Sequence, residues 1–252
     1  MSTDAIDEMG PIDFVLIEWP GRQPSGEAAP ILVDGLVISD HDWTATVDGR
    51  EAERIGLANR IVPKGQARAA AEGMQIEFRE ADAENLPFDD NSFDTVLSTF
   101  GVMFTPNQDR AAAELMRVCK PKGQIGLANW TPEGFIGQLF KTLGKYLPPP
   151  TGTKSPALWG TSARLTEMFD ADARSIKAES RLFKFRYRSP AHFLDVFKTY
   201  YGPVLKTFAA LPEQAQSSLR ADLLALAETF NRSGDASLVV PSEYLEIVIT
   251  KR

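Results

Sequence analysis

Asn91-Ser-Phe-Asp-Thr-Val-Leu-Ser-Thr-Phe100 is the stretch that decides the fold. Phe93 to Thr99 reads as a β-strand with Val96 and Leu97 at its centre. Upstream, Leu86 to Ser92 is a loop marked by Pro and Asp, and Gln75 to Glu80 alternates Ile76 and Phe78 with polar residues as a strand does. Downstream, Asp109 to Cys119 places Ala112, Leu115, Met116 and Cys119 on one helical face. Pro121-Lys-Gly123 ends that helix, and Gln124 to Asn129 is a third strand. Strand, loop, strand, helix, strand is the rhythm of parallel α/β packing.

Beyond Trp130, the spacing predicts helices over Phe135–Tyr146 and Ala163–Phe169, separated by the extended Pro148-Pro-Pro150. A strand follows over Leu182–Tyr187. Two amphipathic helices come next, Ala191–Ala209 and Leu219–Phe230, and Glu243–Thr250 closes the chain as a strand. In the N-terminal part, Phe14-Val-Leu-Ile17 is strand-like and runs into the Pro- and Gly-rich Trp19 to Gly26. Glu27–Val33 is read as a short helix, although Pro30 weakens it. Leu36–Ile38 is a second strand, Arg50–Arg60 a helix, and Gln66–Glu72 an Ala-rich helical segment.

Composition narrows the function classes. The 252 residues are 43% hydrophobic and 24% charged, with a formal net charge of -7, and no Lys/Arg run marks a nucleic-acid groove. One cysteine excludes an intramolecular disulfide, and with only two histidines a zinc site is not expected. No apolar stretch approaches roughly 18 residues, so no membrane span is expected. The acidic N-terminus does not read as a signal peptide, and a cytoplasmic location is the expectation.

Asp82-Ala83, followed by Glu84-Asn-Leu-Pro-Phe88, then Asn91 to Phe100, then Glu114-Leu-Met-Arg-Val-Cys-Lys-Pro-Lys-Gly123, succeed one another in an order that resembles class I S-adenosylmethionine (SAM)-dependent methyltransferases from about Ala69 to the C-terminus. The resemblance implies an α/β, Rossmann-like sheet closed by a C-terminal antiparallel hairpin. It implies SAM as cofactor, with Asp82 and Ala83 at the adenine and Ser98 and Phe100 beside the methyl donor. It also implies a small-molecule acceptor; Trp130 follows the fifth strand, where substrate often sits in the family, and reads either as a packing residue or as part of that site. No acid–base group or metal is implied, since in-line displacement at a sulfonium carbon needs alignment above all. The turn that usually reads Pro-Gly-Gly in the family is Pro121-Lys-Gly123 here.

The family's first half does not match. Its cofactor loop has the form Asp/Glu-x-Gly-x-Gly, because backbone N–H groups must approach the cofactor without a Cβ in the way. No two glycines of this chain are separated by a single residue. The segment Asp48 to Gly65 resembles instead a late piece of enoyl-CoA hydratases, and Gly10 to Gly21 the start of a small bacterial family. Residues 1–68 therefore read as an atypical, mosaic-like segment before a methyltransferase-like domain at 69–252, and the expected sheet is incomplete or altered in its N-terminal half. One arrangement restores a cofactor floor: Phe14–Ile17 as first strand ending in Glu18, Glu27–Val33 as first helix, and Leu36–Ile38 as second strand with Asp40 at its tip. The other is a strand-loop-strand that only covers a sheet edge. Two functions stay open: methyl transfer to a small molecule, or a non-catalytic fold or binding module that has lost SAM. An exposed edge would invite self-association, so a homo-oligomer is also expected. Cys119, His41 and His192 are read as structural, and the Phe193-to-Phe208 aromatic stripe as core or as a lid over the acceptor.

Overall fold

The computed structural model describes residues 13–22, 28–37, 67, 70, 71, 77–79, 81–150 and 152–252. The helix at Arg50–Arg60, the hydratase-like residues 48–65, Asp40 and His41 lie outside them. A single mixed sheet of seven strands runs β3-β1-β2-β4-β5-β7-β6. The strands are β1 (Asp13–Arg22), β2 (Ala28–Val37), β3 (Glu77–Arg79), β4 (Phe93–Thr99), β5 (Cys119–Trp130), β6 (Ala173–Tyr187) and β7 (Leu238–Lys251). Six α-helices are described: α1 (Gln108–Val118), α2 (Phe135–Tyr146), α3 (Ser162–Phe169), α4 (Pro190–Tyr200), α5 (Gly202–Ala210) and α6 (Glu213–Phe230).

The expected α/β sheet is present, with β2, β4 and β5 parallel and the β6–β7 pair antiparallel. Its N-terminal half is altered as anticipated, but not in the anticipated manner. Residues 28–37 form a strand, not the helix read over Glu27–Val33, and β1 and β2 pair as an antiparallel hairpin from Asp13↔Val37 to Arg22↔Ala28. The five residues between them explain this. A parallel crossover needs about a dozen residues or more, whereas five suffice for a hairpin. Phe14–Ile17 is thus not the strand that leads into a cofactor helix. The strand beside β4 is β2, registered from Ile31↔Thr95 to Gly35↔Thr99.

The layer over β4 and β5 is built by α1. Ala111, Ala112, Leu115 and Met116 are buried there, with Val96, Ile125 and Leu127 of the sheet. Asn107 caps the helix, its Oδ1 accepting the Arg110 N–H at 3.1 Å. At the other end the Lys251 ammonium donates to the carbonyls of Met116 and Cys119, both at 2.8 Å, where a cation suits the helix dipole. The helix read over Ala191–Ala209 is two helices, α4 and α5, broken at Tyr201. Gly202-Pro203 is the cause: Pro203 has no N–H to continue α4, but it fits the first turn of a new helix. The strands β6 and β7 are longer than expected and run on past Trp130. Their far ends carry a helical cap of α2, α4, α5 and α6 over the carboxyl ends of the parallel strands.

Candidate functional site at the strand tips

Of the residues singled out in the sequence, Ser98 and Phe100 lie at the carboxyl end of β4, and Asp82 and Ala83 lie in the loop before it. Ser98 is buried, and its Oγ accepts the Val102 N–H at 3.0 Å. That bond shapes the short 3-10 turn Val102–Phe104, so Ser98 orders the tip. Phe100 lies in the left-handed region at φ 60°, an uncommon place for a bulky side chain. Its N–H donates to the Ala128 carbonyl at 2.8 Å, and its ring stacks on Trp130 at 4.0 Å and 13°. Phe100 is therefore a ring turned onto β5, held there at a cost in backbone strain.

Asp82 and Ala83 stand in the loop before β4. Asp82 is exposed, its Oδ1 accepts the Glu84 N–H at 2.9 Å, and its carbonyl accepts the Asn85 N–H at 2.9 Å. This is an Asx turn, and the second carboxylate oxygen meets no donor among the described residues. The loop is tied down by α1 at three levels. Glu84 accepts the Asn107 N–H at 2.7 Å, and its carbonyl accepts from Arg110 at 2.7 Å. Glu114 accepts the Leu86 N–H at 2.7 Å. Arg117 donates to the Leu86 and Phe88 carbonyls, to Asp90 and to Glu114. The Arg117 guanidinium holds the Glu114 carboxyl below its ordinary range, and the two carboxylates push the Arg117 pKa up. This anchoring is what sequence reasoning missed. The signal was there, because Glu84, Glu114 and Arg117 flank the strand, but their partners are backbone groups.

Sequence reading also missed Asp34-Gly35. The register sets Asp34 beside Ser98 and Gly35 beside Thr99, near the carboxyl end of the strand neighbouring β4. The apolar run Ile31-Leu-Val33 before an acid and a glycine is the signal that could have found it.

The exit of β5 is gripped tightly. A Cβ on Gly160 would collide with the Trp130 carbonyl, and one on Gly137 with the Thr131 carbonyl. Both positions require glycine because backbones meet there. Trp130 is buried between Phe100 and the long hairpin, meeting Phe185 at 5.8 Å. Phe185 meets Phe197 of α4 at 5.8 Å. The contacts return through Phe197–Tyr201 at 4.8 Å, Tyr201–Phe140 at 6.4 Å and Phe140–Phe104 at 5.7 Å. Phe104 lies four residues after Phe100, so the rings form a closed circuit that begins and ends on the segment leaving β4. The aromatic stripe of α4 thus belongs both to the core and to the cap. Two buried side chains here have no hydrogen-bond partner: the Asn129 carboxamide and the Tyr201 hydroxyl.

His192 is structural. It is part of the α4 N-terminus, its N–H donating to Ser189 Oγ at 3.1 Å. Burial pushes the Cys119 thiol up to about 11, which makes it an inert packing residue. Among the described residues no group of three or more His, Cys, Asp or Glu could hold a metal, and no helix is long and apolar enough to cross a membrane.

Comparisons with known proteins give the family. Residues 51–127 match the family model of a methyltransferase domain. That match begins before Ala69, inside the segment read as a hydratase fragment, and the comparisons do not show the hydratase resemblance. An uncharacterized protein of Mycobacterium tuberculosis is 33% identical over 252 residues, spanning 98% of this chain and 89% of its own length, so the similarity takes in the N-terminal segment too. The ubiquinone/menaquinone biosynthesis C-methyltransferase UbiE of Brucella canis is 40% identical over 83 residues, 31% of each chain. The YcgJ protein of Bacillus subtilis, a solved structure, superposes with a TM-score of 0.45 at 17% identity, covering 74% of this chain and 76% of its own. The chain belongs to the family of the mycobacterial protein and, with residues 51–127 matching a methyltransferase domain, is a SAM-dependent methyltransferase-like protein.

Proposed function

We propose that this protein binds SAM across the carboxyl ends of β2 and β4 and transfers its methyl group to a small-molecule acceptor under the helical cap. The observation that carries the reading is the Asp82 loop. An Asx turn fixed to α1 by Glu84, Glu114 and Arg117 presents a carboxylate oxygen that meets no donor among the described residues. A rigid acceptor of that kind suits the exocyclic amine of adenine, with the Ala83 backbone beside it. Gly35 fits the same reading, because a residue without a Cβ at the end of β2 lets a cofactor approach the backbone. SAM, when bound, supplies an electrophilic methyl carbon. This chain's contribution is alignment: Ser98 orders the β4 tip, Phe100 and Trp130 form an apolar floor, and the cap excludes water.

A second reading is favoured by one sequence fact. No pair of glycines spaced as Gly-x-Gly exists here, so the fold could be kept without the cofactor. A thermal-shift titration separates the two. SAM at a hundredfold excess over Kd should stabilise by about 2.7 kcal/mol, several degrees in Tm. Asp82→Asn, which keeps the Oδ1 acceptor of the Asx turn, should keep the same unliganded Tm and lose most of the shift. An unchanged Tm for the wild type at millimolar SAM would leave the non-catalytic reading standing.

A further inference from the structure

Tyr201 carries a hydroxyl that packing alone does not explain. The residue is 8% exposed, and its oxygen is buried with no hydrogen-bond partner. Its ring contacts with Phe140 and Phe197 would be made as well by phenylalanine. A buried hydroxyl without a partner destabilises the fold, and such groups are rare enough in folded proteins that each calls for a physical reason. Burial drives the phenol pKa far upward, so the hydroxyl stays protonated and can donate as well as accept. Its place supplies the reason. Tyr201 sits at the break between α4 and α5, and its ring partner Phe140 meets Phe104, the last residue of the turn that leaves β4. Through these ring contacts Tyr201 joins the aromatic circuit that leads to the strand tip. The other members of that circuit are aromatic rings, and among the described residues no charged side chain is set over them.

We propose that Tyr201 is the acceptor-recognition residue: its hydroxyl hydrogen-bonds the single polar group, a phenol- or enol-type oxygen, of an uncharged, planar acceptor held among these rings. Flat rings favour a flat ligand by offset stacking and edge contacts. One hydroxyl reads one polar atom, and an analogue lacking that atom leaves the hydroxyl unpaired again. The proposal rests on the methyl-transfer reading of the site, but its test does not need SAM.

Phenol and toluene are the probes, alike in size and differing in the hydroxyl. Each is titrated into the full-length wild type and into Tyr201→Phe, followed by ligand-observed NMR. The wild type should bind phenol about tenfold more tightly than toluene, a 1.4 kcal/mol difference. Tyr201→Phe should bind both alike, and its unliganded Tm should match or exceed that of the wild type by about 2–4 °C, the gain from removing an unpaired hydroxyl. The proposal is overturned by equal affinities in the wild type, by a preference that survives in Tyr201→Phe, or by no binding of either probe at millimolar concentration. A Tm several degrees lower in Tyr201→Phe would also overturn it, because it would show the hydroxyl to be a structural hydrogen-bonding group. SAM binding without phenol discrimination removes this proposal alone. Phenol discrimination without SAM binding removes methyl transfer and leaves the role of Tyr201 in place.

Discussion

The sheet is built differently on the two sides of β4. Toward β5, β7 and β6, strands alternate with helices, and the closing pair reverses direction. Toward β2, β1 and β3, no helix is described between the first two strands, and the side begins with a hairpin of two ten-residue strands. Both sides deliver a parallel strand against β4. They do so by different routes, a helical crossover through α1 on one side and the second arm of a hairpin on the other. Apolar runs specify that a segment is a strand, while the length of the connection specifies its direction.

The largest test of this comparison is a proline in β2. Val33 pairs with Ile17 on one side and Leu97 on the other, so it is central. Val33→Pro should cost about 3 kcal/mol or more, seen as a lower urea midpoint, and should approach the cost of Val96→Pro in β4. A Val33→Pro midpoint equal to the wild type would show that the hairpin is not part of the cooperative sheet.

The next effect belongs to the other side. Arg117→Met removes the donor to two carbonyls and two carboxylates. A loss of about 1–2 kcal/mol is expected, with roughly 2–5 °C in Tm, since partly buried acceptors are left unpaired. SAM affinity should fall with it if the Asp82 loop holds the cofactor. Acid probes the same tie more gently. The Glu114 carboxyl is depressed in the folded state, so its stabilisation is complete above its ordinary value of 4.5 and is lost as pH falls through the lower folded value. Wild type should lose stability steeply below about pH 4.5, and Glu114→Gln less steeply; parallel acid curves would contradict the assignment.

The smallest effect is Lys122→Gly. Lys122 is left-handed at φ 66°, where glycine carries no steric penalty. The gain is partly offset by glycine's larger entropy loss, so a net stabilisation under about 1 kcal/mol is expected. A clear destabilisation in chemical denaturation would show that the Lys122 side chain has a contact of its own. Its neighbour Gly123 behaves differently, since a Cβ there would sit 2.8 Å from the Asp94 carbonyl.

Much of the C-terminal side was legible in local pattern. Phe93–Thr99 matched β4, Phe135–Tyr146 matched α2, and α1 began one residue before its expected start. What was not legible depended on partners distant in sequence. Strand β6 was read only over Leu182–Tyr187, because residues 174–181 carry a single large apolar side chain, Ile176, among polar or small ones. They form a strand because β7 pairs with them, with Ser180 opposite Leu245. The break at Tyr201 was visible in Gly202-Pro203, but the periodic aromatics on both sides of it masked the interruption. At the site, Ser98 and Phe100 lie at the end of β4, and Asp82 lies in the loop before it. The left-handed turn of Phe100, the anchoring of the Asp82 loop and the place of Asp34-Gly35 arise from register and backbone bonds, which no local pattern encodes. The substitute acids read at Glu18 and Asp40 depended on a parallel first strand, and the hairpin removes that premise.

Isothermal titration of SAM into the purified, folded protein tests the account most directly. One saturable site, weakened at least about tenfold by Asp82→Asn at unchanged Tm, is the predicted result. Absence of binding heat at millimolar SAM, from protein that melts cooperatively and at two temperatures to exclude a vanishing enthalpy, would contradict it.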